Sequence, residues 1–236
     1  MKSFIYILLT SLTFLVVGCQ NESEEIRLIN QAERLFDAYP DSVITTLDSI
    51  PLPEEMSPRL IARWCMLYAR AADKMEDEMP YTNQLEIALK YYQKKKMREE
   101  EAEIGLYLGR SYVEDKEYEK AMRAYSDALE VALAIKNYNR AGYICSYMGD
   151  LYEVDLRYIL AAEKYKESGK YFHLANNTTS YVRAFVNEGR SYMSVDSNYL
   201  ALASLKQAEV IMDSLNVENV KTYVYNGLGN IYNEYL

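Results

Sequence analysis

Few side chains in this 236-residue sequence could take part in a reaction. It has one imidazole, His173, and three thiols, Cys19, Cys65 and Cys145. No cysteine or second histidine stands at ligand spacing from His173, so the pattern predicts no metal site. The chain contains no glycine-rich phosphate loop, no His-Glu-x-x-His pair and no Gly-x-Ser-x-Gly elbow. Carboxylates do cluster at Glu99-Glu100-Glu101, but Lys94-Lys95-Lys96 lies just before them, and the two runs read as a solvated, charge-complementary helix surface. With so little material for acid–base or nucleophilic work, the sequence predicts no enzyme, no catalytic residue and no cofactor.

The thiol at position 19 stands apart from the other two. Lys2 provides a short basic start, Phe4 to Val17 is almost wholly apolar, and Val16-Val17-Gly18-Cys19 closes the segment. The apolar run suits a signal-peptide core and is too short to span a bilayer as a helix. Its ending resembles the lipobox of bacterial lipoproteins, which implies that Cys19 becomes the lipid-bearing first residue. The alternative is an ordinary secretory signal with a chance cysteine. Either way the chain is expected to be exported, with no second membrane span. The run Asn21 to Glu25 reads as a solvated tether, and acidic residues there resemble the surface-export signals of some Gram-negative lipoproteins. Removing residues 1–18 takes away Lys2 and moves the net charge from −9 to −10. That balance argues against nucleic acid as a partner.

The elements that must position everything else announce themselves by repetition. Gly109, Gly149, Gly189 and Gly229 recur every 40 residues, each followed three residues later by a tyrosine: Tyr112, Tyr152, Tyr192, Tyr232. Ala121, Ala161 and Ala201 follow the first three glycines at a fixed offset, and Tyr125, Tyr165 and Leu205 come four residues after those. A fixed period with small residues at fixed offsets predicts a solenoid of helix pairs. The glycines and alanines are expected to face each other where the helices of a pair cross, with tyrosines filling the gap beside them. Helices are expected over 24–38, 43–50, 58–75, 82–96, 98–114, 117–136, 138–153, 157–175, 178–194, 198–214 and 218–235, with no strand. Pro40 should end the first helix, Asp41 or Ser42 should cap the second, and Ser57-Pro58 should open the third. Cys65 and Cys145 fall two periods apart, too far for a disulfide, and read as buried thiols. The 24 tyrosines read mainly as packing, with an aromatic sugar platform as the alternative.

Leu108-Gly109-Arg110-Ser111-Tyr112, followed by Ala121, Tyr125 and Ala128, resembles a tetratricopeptide repeat (TPR). The frame recurs at Met148 to Tyr152 and at Leu228 to Tyr232, and the copy between them departs from it with Glu188 and Leu205. The opening from Ala32 through Pro40-Asp41-Ser42 to Ile50 resembles the start of TPR lipoproteins from Gram-negative bacteria. The resemblance implies an all-α, right-handed α-solenoid of antiparallel helix pairs, with a concave groove lined by the first helix of each pair. Carried over position by position, it puts Arg70, Arg110, Asp150, Arg190 and Asn230 in one row, with Tyr143 and Arg183 beside it. The same frame assigns Met66, Leu106, Ser146 and Val186 to the groove. The arginines are expected either to grip carboxylates of a ligand or to pair with Asp73, Glu114, Asp150 and Glu153.

The expected organisation is a lipoprotein signal peptide over 1–18, a tether over 19–25, a helical hairpin and linker over 26–57, and a TPR-like array over 58–236 that ends in an unpaired helix. The expected role is a lipid-anchored scaffold at the cell envelope, in the outer membrane, that takes a protein or peptide in its groove. It would touch the membrane through lipid on Cys19 and could self-associate through residues 218–236. Two other readings remain open: the input half of an envelope regulatory protein, and a glycan-binding outer-membrane lipoprotein.

Overall fold

A computed structural model describes residues 24–51 and 55–235, with side chains up to Asn233. Among these residues the chain is helical and has no strand. The helices are α1 (24–35), α2 (Pro40–Asp48), α3 (Pro58–Met75), α4 (Thr82–Lys95), α5 (Arg98–Glu114), α6 (Tyr118–Ala134), α7 (Tyr138–Val154), α8 (Tyr158–Leu174), α9 (Thr178–Met193), α10 (Asn198–Ser214) and α11 (Lys221–Tyr235). They fall into two compact units, one up to Lys94 and one from Lys95. Cys19 lies outside the described residues. No described helix is long and apolar enough to cross a membrane.

In the first unit, Pro40 begins α2 instead of merely ending α1. Proline at the first helical position loses no hydrogen bond and has its φ already set for a helix, while it pushes the residue before it out of the helical region. Accordingly α1 stops at residue 35, and Tyr39 stands at the N-cap in place of Asp41 or Ser42. Ser57 and Pro58 open α3 as their types predict. Trp64 of α3 buries its ring and donates its indole N–H to the Leu47 carbonyl at 3.2 Å, tying α3 to the end of α2. Tyr92 of α4 donates to the Ala62 carbonyl at 3.0 Å in the same way. Arg63 holds α1 through Glu33 at 2.7 Å and Asn30 at 2.8 Å.

The second unit follows a stricter rule than the 40-residue period. Lys96, Lys116, Lys136, Leu156, Asn176, Asp196 and Asn216 all have φ between 54° and 61°, and they stand 20 residues apart. Each is the left-handed residue that stops one helix. At Lys136 the two bonds of a Schellman stop are present: Asn137 N–H reaches the Ala132 carbonyl at 2.8 Å, and Lys136 N–H reaches that of Leu133 at 3.0 Å. Asn137 is then the N-cap of α7, and its side chain accepts from the Arg140 N–H. One residue thus closes a helix and opens the next. A helix of 17 residues and a link of three repeat every 20, and two such blocks make the observed period.

Because none of these links uses glycine, each carries a strained residue, and Leu156 is the clearest case. It is 71% exposed, so its side chain contributes little packing. A left-handed conformation costs an L-residue about 1–2 kcal/mol, while glycine loses about 0.5–1 kcal/mol more chain entropy on folding. Leu156→Gly should therefore stabilise the protein by about 0.5–1 kcal/mol, read as a higher midpoint in urea with an unchanged slope.

The crossing inside each pair differs from the sequence expectation. A Cβ on Gly149 would stand 2.7 Å from the Tyr165 ring, and one on Gly109 would run into the Tyr125 ring. At Gly189 it would meet Leu205 at 2.9 Å. The groups nearest Gly109 and Gly149 are the Tyr125 and Tyr165 rings, while Gly189 meets both Leu205 and the Ala201 carbonyl, the latter at 3.2 Å. Residues at matched distances from a link face each other, and helical side chains lean toward their own N-terminus. Gly149 is seven residues before Leu156, Ala161 only five after it and Tyr165 nine after it, so Tyr165 leans back onto the glycine. Cys65 and Cys145 are free and fully buried. Burial pushes both thiols up, Cys145 to about 12, so they stay protonated and unreactive.

Candidate peptide groove

In the second unit the first helices of successive pairs, α5, α7, α9 and α11, are laced directly to each other. Arg140 of α7 reaches Glu103 of α5 at 3.0 Å. The N-cap Asn137 donates to Glu99 at 2.8 Å, and Asn177 repeats this on Asn139 at the same distance. Ser191 of α9 donates to Glu153 of α7 at 2.6 Å, and Tyr223 of α11 donates to Asn187 of α9. These contacts hold the first helices side by side and leave one row of their side chains open.

Within that row Arg110 is half-buried, with its guanidinium carbon 5.2 Å from the centre of the Tyr147 ring. Tyr143 is 38% exposed and held edge-on by Phe172, with ring centres 4.9 Å apart. Arg183 is exposed, its guanidinium carbon 6.0 Å from the centre of the Tyr223 ring. Arg190 donates to the Tyr223 hydroxyl at 3.4 Å, and Asn230 is exposed on α11. Tyr223 thus gathers Arg183, Asn187 and Arg190 around one ring, a role the repeat pattern did not show. Arg70 lies half-buried on α3 in the first unit and is described with that unit alone.

Asp150 sits at the centre of the row. It is open to solvent on one side and surrounded by protein on the others. Desolvation raises its pKa from the ordinary 3.8 to about 6, and Glu153 pushes the same way. The Tyr165 hydroxyl, donating at 2.5 Å, and the nearby Arg110 and Arg190 act in the opposite sense. Because the folded chain holds this proton more tightly than the unfolded chain does, stability falls as pH rises between about 4 and 6. Asp150→Asn should remove that part of the slope in melts taken across pH 4 to 7. An unchanged slope would assign it to other carboxylates.

Of the arginines and carboxylates expected to pair, Arg110 and Arg190 act electrostatically on Asp150, while both guanidiniums also engage tyrosines. Four of the carried-over groove positions are not groove positions. Met66, Leu106 and Val186 are buried, and Ser146 turns toward α8, where its hydroxyl lies 3.1 Å from that of Ser168. Glu103 is also buried, held by Arg140 and by the Tyr107 hydroxyl at 3.3 Å. Among the described residues, no three His, Cys, Asp or Glu side chains come together to hold a metal ion.

No family model matches the chain, and no curated protein matches it. Solved structures do. The apo form of RapI superposes with a TM-score of 0.66 at 13% identity, covering 85% of this chain and 74% of that one. A putative kinesin light chain of Podosopora anserina, with nearly identical TPR-like repeats, gives 0.58 at 13% identity, over 80% and 95%. The fold is a TPR-like helical solenoid. Bacillus thuringiensis PlcR, solved in complex with the peptide PapR7 and DNA, gives 0.56 at 14% identity over 86% and 75%. At such identities the likeness establishes the TPR-like fold and nothing about the ligand. The TPR-like frame also accounts for the open row, because stacking the pairs brings the first helices together along one side.

Proposed function

We propose that this chain is a scaffold tethered at the cell envelope by lipid on Cys19, and that the open row on α5, α7, α9 and α11 holds a protein or peptide. The observation that carries the reading is Arg183 and Arg190 gathered on Tyr223, together with Tyr143 on the neighbouring α7. These are large side chains, exposed or half-exposed, and their partners already hold them in place. Preorganised tyrosines and arginines are the residue types that dominate binding at interfaces. A peptide complex is known for the similar structure of PlcR. The sequence from Lys2 to Cys19 supports the tether.

Two experiments test the parts separately. Mass spectrometry of the mature N-terminus should find acylated Cys19, and a mature chain with unmodified Cys19 would remove the anchor from the reading. Affinity purification from the native host should recover a partner that is lost with Tyr143→Ala, Arg183→Ala, Arg190→Ala. It should persist with exposed residues changed on the outer helices, Asp127→Ala and Lys170→Ala. Equal recovery with both sets would place binding elsewhere.

A further inference from the structure

Away from the groove, a cleft of about 570 Å3 opens between α6, the end of α7 and the link from α7 to α8. Its volume falls within the roughly 300–1,000 Å3 typical of small-molecule sites. Met122 and Leu151 form an apolar floor, and Tyr118 and Tyr152 stand at its sides. Four charges rim it: Glu119 and Arg123 from α6, Asp155 and Arg157 from the link.

The link wall is fixed in place. Leu156 is in the left-handed conformation, and the Arg157 N–H is bonded to the Tyr152 carbonyl at 2.8 Å. The Arg157 guanidinium carbon lies 5.2 Å from the centre of the Tyr152 ring, with Asp155 at 3.8 Å. Glu119 and Arg123 are one turn apart on α6, and neither side chain makes an ion pair or hydrogen bond with a described residue. Both side chains are exposed and open to the cleft.

The repeat supplies an internal comparison. One period on, the tyrosines return as Tyr158 and Tyr192, so they belong to the architecture. The charges do not return. Glu119 becomes Ile159, Arg123 becomes Glu163, Asp155 becomes Val195 and Arg157 becomes Ser197. One period back the four positions are Met79, Asn83, Asp115 and Glu117, so the set of two cations and two anions occurs at this junction only and the fold does not require it.

An apolar floor ringed by both signs of charge complements a small zwitterion with an apolar side chain. Guanidinium groups match a carboxylate, carboxylates match an ammonium, and tyrosine faces accept an apolar side chain. We propose that this cleft binds a free α-amino acid with an apolar side chain, its carboxylate toward Arg123 and Arg157 and its ammonium toward Glu119 and Asp155.

Equilibrium dialysis of the full chain with labelled L-phenylalanine, L-leucine and L-methionine tests this. At least one should bind saturably. Arg123→Ala and Glu119→Gln, both on an exposed helix face, should each weaken binding by about tenfold or more, with circular dichroism melts unchanged. N-acetyl-L-phenylalaninamide, which keeps the ring and has neither charge, should fail to compete. Saturable binding of none of the three amino acids would overturn the proposal. So would equal competition by the uncharged amide, or equal competition by a glycine-rich peptide ending in phenylalanine, which would point to a peptide C-terminus.

Discussion

Gly149→Ala lowers the stability of the protein, and Gly229→Ala raises it. The two glycines hold the same place in the 40-residue frame, and in an isolated helix each change would be favourable by about 1 kcal/mol. Their surroundings reverse one of them. A methyl at 149 would stand 2.7 Å from a Tyr165 ring carbon. That ring is 1% exposed, and its hydroxyl is tied to Asp150 at 2.5 Å, so it cannot swing aside without losing both its packing and its hydrogen bond. Overpacking of this kind costs about 1–3 kcal/mol and outweighs the gain in helix propensity. At Gly229 nothing lies within 4 Å of the added methyl, so the propensity gain of about 0.5–1 kcal/mol stands alone. In a chain of this length each kcal/mol moves the midpoint of thermal unfolding by about 2–4 °C, so the two variants should separate clearly in one experiment. A shift in the same direction for both would contradict the pairing of Gly149 with Tyr165.

Glu188→Leu stabilises the protein at neutral pH, and by less in acid. The frame puts Leu108, Met148 and Leu228 at this position, all buried, and Glu188 is itself only 4% exposed. It makes no ion pair or hydrogen bond with a described residue, and Lys166 acts on it only at a distance. Burial pushes its pKa upward, with Lys166 pulling the other way. Leucine restores the apolar contact at similar volume and removes a desolvation cost of about 1–3 kcal/mol. The sign of the pH effect follows from the upward shift: the folded chain holds the proton that the unfolded chain releases, so the cost appears as pH rises above the ordinary carboxylate range. Urea midpoints of the wild type and variant at pH 4 and pH 7 should therefore diverge at the higher pH. A variant less stable than wild type at pH 7 would mean that the carboxylate has a role that its contacts do not reveal.

The helices were legible because their signals were redundant. Apolar spacing, the recurring glycines and the scarcity of other glycines and prolines all marked the same segments, and α3, α5 and α10 begin and end where the pattern puts them. The links were harder to see. Only Asn176, Asp196 and Asn216 are residue types that favour a left-handed stop, while Lys116, Lys136 and Leu156 carry no such mark, so the 20-residue block stayed hidden inside the 40-residue period. That the Tyr125 and Tyr165 rings lie directly on Gly109 and Gly149 was not legible, because spacing along the chain says nothing of how side chains lean. The groove was legible in part. Positions at Arg110, Tyr143, Asp150 and Arg183 follow from the frame, but the gathering of Asn187, Arg183 and Arg190 on Tyr223 depends on contacts between residues more than 30 positions apart.

The last described helix, α11, buries part of its apolar face. Leu228 and Ile231 are 4% and 2% exposed and pack with Val186, Leu205 and Val224. On the face around Gly229, the Ala102, Gly142 and Val182 position becomes Thr222, and the Leu106, Ser146 and Val186 position becomes Asn226. Tyr225 and Tyr232 remain partly exposed there, with the Lys206 ammonium 5.7 Å from the centre of the Tyr232 ring. Self-association through residues 218–236 therefore has less apolar surface behind it than the sequence implied.

Site-specific photocrosslinking tests the proposed groove most directly. A benzophenone amino acid would replace Tyr143 on the open row or, as a control, Asp127 on the exposed face of α6, in the protein expressed in its native host. The groove reading predicts a discrete crosslinked species from position 143 that is absent from position 127 and is lost when Arg183→Ala and Arg190→Ala are added. A crosslink from position 127 alone, or one from position 143 that survives loss of both arginines, would contradict it.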